Sequence, residues 1–272
     1  MAVSTDSVFS NAIVGNMMTG ADVDIFQIDD LPKFPIGQGF TRADGAKFRY
    51  GHVGAACNRG VIVAQDYSES SEADADQIIV APSSTYQMPD EPNGTYPGSI
   101  NSRYVIVTLA SVTADQFAGG YLHITDDVGE GYTYRIKGNT ATDDPVTGNF
   151  RLALYDKIQV ALTATTDHCI TGNLYANVET AGTGTDGIAC GVTCASLTAT
   201  EPFGWIQTYG MATVLCDTAG SAGMKAQLSQ SVAGAYAPAS LDGTASHNYP
   251  IIGTIVTPGD TTGHGAIHLE LE

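Results

Sequence analysis

The sequence predicts an all-β fold, with antiparallel β-sandwich or barrel domains, an extended N-terminal arm and long loops. Three observations carry that expectation. Charged residues make up only 15% of the 272-residue chain, against the roughly one quarter usual in globular domains. Small residues fill the deficit, among them 31 Gly, and with Thr and Ser they favour strands and tight turns over helices. Apolar and polar residues alternate with period two in several segments, and no long amphipathic helical pattern occurs.

Residues 1–63 read as the arm followed by a β-hairpin. Asn11 to Met18 has the length of a helical turn, but Gly15 and Gly20 interrupt it. Two readings fit the first thirty residues: an arm that orders on a partner, or a frayed terminus. Pro32 and Pro35 then force extended backbone. Asp44-Gly45 is a good hairpin turn. Beyond it Phe48 and Tyr50 share one strand face, with Lys47 and Arg49 on the other.

Residues 64–180 read as a β-rich domain that opens on a long acidic loop, residues 66–100, around one short strand at Ile78–Ala81. Tyr104–Leu109 is a continuous apolar run, and Tyr121–Ile124 leads into a Gly- and Asp-rich turn. Tyr132, Tyr134 and Ile136 alternate with Thr133, Arg135 and Lys137. Phe150, Leu152 and Leu154 alternate with Arg151, Ala153 and Tyr155. Ile158–Leu162 and Asn173–Val178 complete the expected strands. Their spacing of about ten residues suits a sandwich or barrel.

Residues 181–272 form the third expected segment, a sandwich or barrel portion. Phe203–Gln207, Thr213–Leu215, Lys225–Leu228 and Ile251–Val256 read as strands. In the last strand Ile267, Leu269 and Leu271 face inward, while His268, Glu270 and Glu272 face outward.

Charge narrows the function classes. With 11 Lys and Arg against 29 Asp and Glu, the net charge is −18. Nucleic-acid binding needs basic residues to displace counterions, so no nucleic-acid partner is expected. No apolar run reaches the roughly 20 residues of a membrane helix, and no membrane partner is expected either. The Met1 end lacks the pattern of a signal peptide, and the five cysteines are too sparse for a disulfide scaffold, which suits synthesis in a reducing cytoplasm. One basic cluster interrupts the acidic background: Lys33, Arg42, Lys47, Arg49 and Arg59, with Asp44 alone opposing them. It is either a solvated face whose acids come from elsewhere in the fold, or a docking surface for an acidic partner.

The sequence carries no nucleophile elbow, zinc-protease helix, phosphate loop or dinucleotide fingerprint. Cys190, Cys194, His264 and His268 are a conceivable zinc set, but the two pairs are far apart in sequence, and buried thiols with surface imidazoles account for them. His168 and Cys169 are adjacent, so a strand points them to opposite faces and they do not make a nucleophile–base pair. Asp126, Asp127 and Glu130 do not match a calcium loop and read as solvated turn acids. Trp205, the single tryptophan, reads as core packing of its strand. No catalytic, cofactor or metal site is expected.

Three stretches resemble capsid decoration or head-fibre proteins of tailed bacteriophages. They are Phe34-Pro-Ile-Gly-Gln-Gly-Phe40 with Phe48–Ala56, Gly119–Asn139 continuing to Asn173–Val178, and Pro202–Gln207 with Gly210–Leu215 and Pro250–Val256. The order of the pieces carries the likeness more than any one motif. The resemblance implies a non-enzymatic virion protein that binds the outside of the head, with the major capsid protein and its own copies, as a homotrimer, for partners. It supplies no catalytic residues. The five basic residues above are the capsid-contact candidates on grounds of charge and order. A head fibre or attachment protein that grips host glycans is the alternative expectation.

Overall fold

The computed structural model describes residues 17–19, 23–65, 73–78, 91–92, 95–109, 112–142, 148–183, 187–239 and 249–272, with only the backbone described for 17–19 and 73–78. The described residues contain strands, bridges and turns and no helix, as the sequence predicts. In chain order the strands are β1 (Met17–Thr19), β2 (Ile28–Asp29), β3 (Gly39–Thr41), β4 (Lys47–His52), β5 (Ile62–Gln65), β6 (Ala73–Ile78), β7 (Tyr104–Thr108), β8 (Tyr121–Asp126) and β9 (Thr133–Asn139). They continue as β10 (Asn149–Leu154), β11 (Asp167–Thr171), β12 (Glu179–Thr180), β13 (Ile188–Thr193), β14 (Phe203–Leu215), β15 (Lys225–Leu228), β16 (Tyr236–Pro238), β17 (Ile251–Thr257) and β18 (His264–Glu270).

Two compact units result. Residues 1–66 and 174–272 make the first, and residues 67–173 are inserted as the second. The three-segment division drawn at 63/64 and 180/181 therefore differs from the observed boundaries. The first and third segments share one sheet because β4 and β14 pair across the 150 residues, 53–202, that separate them in sequence.

The first unit is a 12-stranded sheet with the path β1-β3-β4-β14-β18-β17-β15-β16, extended through β13, β5, β12 and β2. The 13-residue β14 pairs with β2, β4, β13 and β18. The two short strands expected at Phe203–Gln207 and Thr213–Leu215 are thus one strand. A register shift between Gln207 and Tyr209 interrupts the ladder to β4. Gly210 then takes φ 92°, where a Cβ would also lie 3.1 Å from the Ala46 backbone. Glycine meets both demands at no steric cost.

Aromatic side chains fill the core beside β3, β4 and β14. Phe40 stacks on Phe48 at 5.1 Å. Trp205 lies 5.3–5.4 Å from Phe34, Phe40 and Tyr50, and it is buried as the sequence reading placed it. Behind them Asp29 is only 4% exposed. It accepts from Tyr50 Oη at 2.7 Å and Gln27 Nε2 at 3.0 Å, and pairs with Lys33 Nζ at 2.5 Å. A second aliphatic core joins Val214, Ala226, Leu228, Ile252, Ile255, Ile267 and Leu269 around buried Tyr236. The alternation of Ile267 and Leu269 with exposed or half-exposed His268 and Glu270 follows the sequence reading.

The second unit is a six-stranded sheet of order β6-β11-β8-β9-β10-β7. Its inner face is a cluster of Val105, Val107, Leu122, Ile124, Tyr134, Ile136, Phe150, Leu152, Leu154 and Ile170. Tyr134, Ile136, Phe150, Leu152 and Leu154 are apolar members of the alternating segments, where the pattern marks the buried face, although Tyr132 of the same alternation is exposed. Two expectations need correction. Ile158–Leu162 and Asn173–Val178 are not strands apart from a single bridge at Val178. Ile158, Leu162, Tyr175 and Val178 are buried in irregular segments while Val160 is exposed, and Ile158 N donates to Ser102 O rather than to a ladder. In the acidic stretch the described strand is Ala73–Ile78, paired with β11, and of the strand expected at Ile78–Ala81 only Ile78 lies among the described residues. Residues 79–81, and most of the acidic loop and the N-terminal arm, lie outside the described residues. Within the arm, Met17–Thr19 pairs in parallel with β3.

Two outcomes test this packing. Asp29→Ala removes the shared acceptor of Tyr50 and Gln27 and is expected to cost roughly 2 kcal/mol in urea unfolding. His52, tilted against Phe203 at 4.8 Å, has its pKa lowered by burial. The unfolded chain therefore takes up the His52 proton first as pH falls. The stability held by neutral His52 is complete above about pH 6.5 and declines below it. His52→Gln should flatten the fall in unfolding free energy between about pH 7 and about pH 5.

Candidate docking surface

The five basic residues do not converge. The β-pleat sends Phe48 and Tyr50 into the aromatic core and turns Lys47 and Arg49 to the opposite face of β4. There Lys47 lies over the Tyr209 ring at 5.3 Å. Arg49 donates through Nε to Glu272 Oε1 at 2.8 Å and through Nη1 to Gly37 O at 3.1 Å, and lies 5.8 Å from the Tyr175 ring. Lys33 neutralises buried Asp29. Three of the five thus serve internal contacts; Lys47 and Arg49 do so with partners distant in the chain, which the sequence could not display, whereas Asp29 lies only four residues before Lys33.

Arg42 and Arg59 share a different place. Arg42 closes the β3–β4 turn, pairs with Asp44, and lies 5.6 Å from the Phe48 ring. Its pKa is raised, first by the Asp44 hydrogen bond. Arg59 sits in the loop between β4 and β5, where its backbone N donates to Ser196 Oγ at 3.1 Å. Among the described residues its guanidinium makes no ion pair. Both residues line a groove of about 460 Å³ in the first unit. Gln207, Met211 and Thr213 of β14 line it too, along with Cys194 after β13 and His264 of β18. Ile25 and Phe26 line it from the segment before β2.

The groove is apolar as well as cationic. Phe26 is 67% exposed and Met211 53%. Large apolar side chains held in water beside an unpaired guanidinium suit a protein partner with an apolar contact and a carboxylate. The sequence reading missed Phe26, Met211 and His264 as members of this surface. Met211 and Thr213 alternate with buried Ala212 and Val214, so an outward-facing methionine was readable, but its neighbours were not.

The other singled-out residues are dispersed. Among the described residues no three His, Cys, Asp or Glu side chains converge to hold a metal. Cys194 and His264 share the groove, whereas Cys190 is buried with its thiol directed at Leu174 O and Ile188 O, both at 3.1 Å. His268 is packed against Tyr209 at 5.1 Å. His168 is buried and Cys169 half-buried, on opposite faces of β11. Asp127 accepts from Thr165, and the Asp126 carboxylate accepts from the Asp127 backbone N at 2.8 Å.

Burial pushes the Cys190 and Cys194 thiols up to about 12. The thiolate is the reactive form. Iodoacetamide at about pH 8 should therefore leave both unlabelled in the native protein and label both after urea unfolding, as read by peptide mass spectrometry. No protein-family model matches this chain, and no significant match is found among curated proteins or solved structures.

Proposed function

We propose that this chain is a non-enzymatic structural subunit of a bacteriophage particle, bound to the outside of the head as a decoration or cement protein. The observation that carries the reading is the groove at β14, where exposed Phe26 and Met211 flank Arg59. The all-β body and the ordered sequence resemblance support it. In this reading the major capsid protein supplies an acidic segment with an apolar side chain. The apolar side chain packs against Met211 and Phe26, and the carboxylate pairs with Arg59. Neither nucleic acid nor membrane is a partner.

The energetics suit a lattice. A single groove of this size gives modest affinity, because association must first offset lost translational and rotational freedom. A shell repeats the same site many times. A homotrimer of this chain would present several grooves at once, and effective concentration would raise the avidity by about 100-fold or more without new contacts.

The test uses particles of the virus that encodes the chain. The protein is expected in purified particles, with density on the outer head surface in electron cryo-microscopy. Met211→Glu and Arg59→Glu replace exposed side chains, so the fold should survive. Together they should cut reloading onto stripped particles by about tenfold or more. Absence of the chain from particles, or full reloading by the double variant, would contradict the proposal.

A further inference from the structure

The second unit carries a separate cationic groove, and it differs in kind from the one above. It lies on the outer face of the six-stranded sheet. Strand β9 turns Arg135 and Lys137 outward as Tyr134 and Ile136 turn inward. Strand β10 does the same with Arg151 and Ala153. The register then sets Gly138, Ala153 and Tyr104 in one row across β9, β10 and β7. Two of those three side chains are a hydrogen and a methyl group, and Asp115 Oδ1 takes the space over Gly138, 2.5 Å from where a Cβ would stand, so the row stays low only over Ala153. The result is a groove of about 440 Å³, within the roughly 300–1,000 Å³ typical of small-ligand sites.

Cations and tyrosines form its rim. Arg151 lies over the Tyr104 ring at 5.4 Å. Tyr155 and Arg103 line the groove as well, Arg103 donating to the Tyr155 carbonyl, while Arg135, which does not line it, lies over the Tyr155 ring at 5.1 Å. Lys137 is exposed and makes no ion pair with a described residue. Asp115 is the single acid among the lining residues. In a chain of net charge −18, cations gathered on one sheet face create a local field opposite to that of the whole. Ring stacking also holds the guanidinium groups in place before a ligand arrives, which lowers the entropy cost of binding.

We propose that this groove binds an acidic oligosaccharide, a chain of sugars that carry carboxylates. The rim cations recognise the carboxylate, and a fixed guanidinium fork fits its two oxygens. Tyrosine rings present apolar faces to sugar C–H groups, and Thr140 and Asp115 offer polar atoms to hydroxyls. Other anions fit less well. A peptide docks by large apolar anchors, and the aliphatic lining here is limited to Ala153 and the buried Leu154. A nucleic acid would meet the overall negative charge at every further phosphate. This inference is independent of the head-docking reading, since it concerns other residues in another unit.

Isothermal titration calorimetry on the full chain at about 150 mM salt tests it. The probes are hexagalacturonate, uncharged cellohexaose and hexaglutamate. Saturable binding of hexagalacturonate is expected, with cellohexaose and hexaglutamate each weaker by about tenfold or more. Lys137→Glu should weaken hexagalacturonate by about tenfold or more while the thermal midpoint stays unchanged. If that variant unfolds early, Lys137→Gln serves, with a smaller loss in the same direction. Arg59→Glu, in the other groove, should bind as the parent does. The proposal fails if hexagalacturonate gives no saturable binding at millimolar concentration, if either control binds equally well, or if both Lys137 variants bind as the parent does.

Discussion

The first unit depends on the pairing of β14. Its backbone hydrogen-bonds to four other strands, so the polar groups of a buried 13-residue segment are satisfied only when both ends of the chain have arrived. Phe203 to Tyr209 meets β4 from the N-terminal part, and Tyr209 to Leu215 meets β18 from the C-terminal end. The shift after Gln207 and the left-handed Gly210 supply the change of direction. The aromatic core around Trp205 and the aliphatic core around Tyr236 both hang from this one strand.

Scarce positive charge is the second theme. The chain has only 11 Lys and Arg, and the fold commits several to specific partners. Lys33 compensates a buried carboxylate, and Arg49 ties Glu272 to the β4 face, where Thr208 Oγ1 also donates to Glu272 at 3.1 Å. Such partly buried pairs are screened less than surface pairs, and removing one partner leaves the other poorly solvated. Arg59 in one unit and Lys137 in the other are among the exposed cations that make no ion pair with a described residue.

The two grooves differ in what surrounds the cation. Near Arg59 the neighbours are Phe26 and Met211, flexible or broad apolar groups that adapt to another protein surface. Near Lys137 the neighbours are tyrosines already stacked by arginines over a floor of small residues. The first arrangement rewards apolar burial with one charge contact. The second rewards a flat, hydroxylated, anionic ligand. The same sheet chemistry thus yields two surfaces of different selectivity.

The sequence by itself determined the fold class and the buried face of most strands. Alternation with period two is a local property, so Tyr134 and Ile136, Phe150 and Leu152, and Ile267 and Leu269 could be assigned to the interior without knowing their neighbours. Strands without that alternation, such as β13 with its five consecutive buried residues and β6 with its acidic composition, were hidden. Only the tertiary structure decided which strands lie side by side. That choice joined the two ends of the chain into one sheet and split the basic segment between two faces. It also carried Arg42 and Arg59 to a methionine more than 150 residues away. Strand pairing sums many weak backbone and side-chain terms over long sequence separations, and no short window of residues contains that sum.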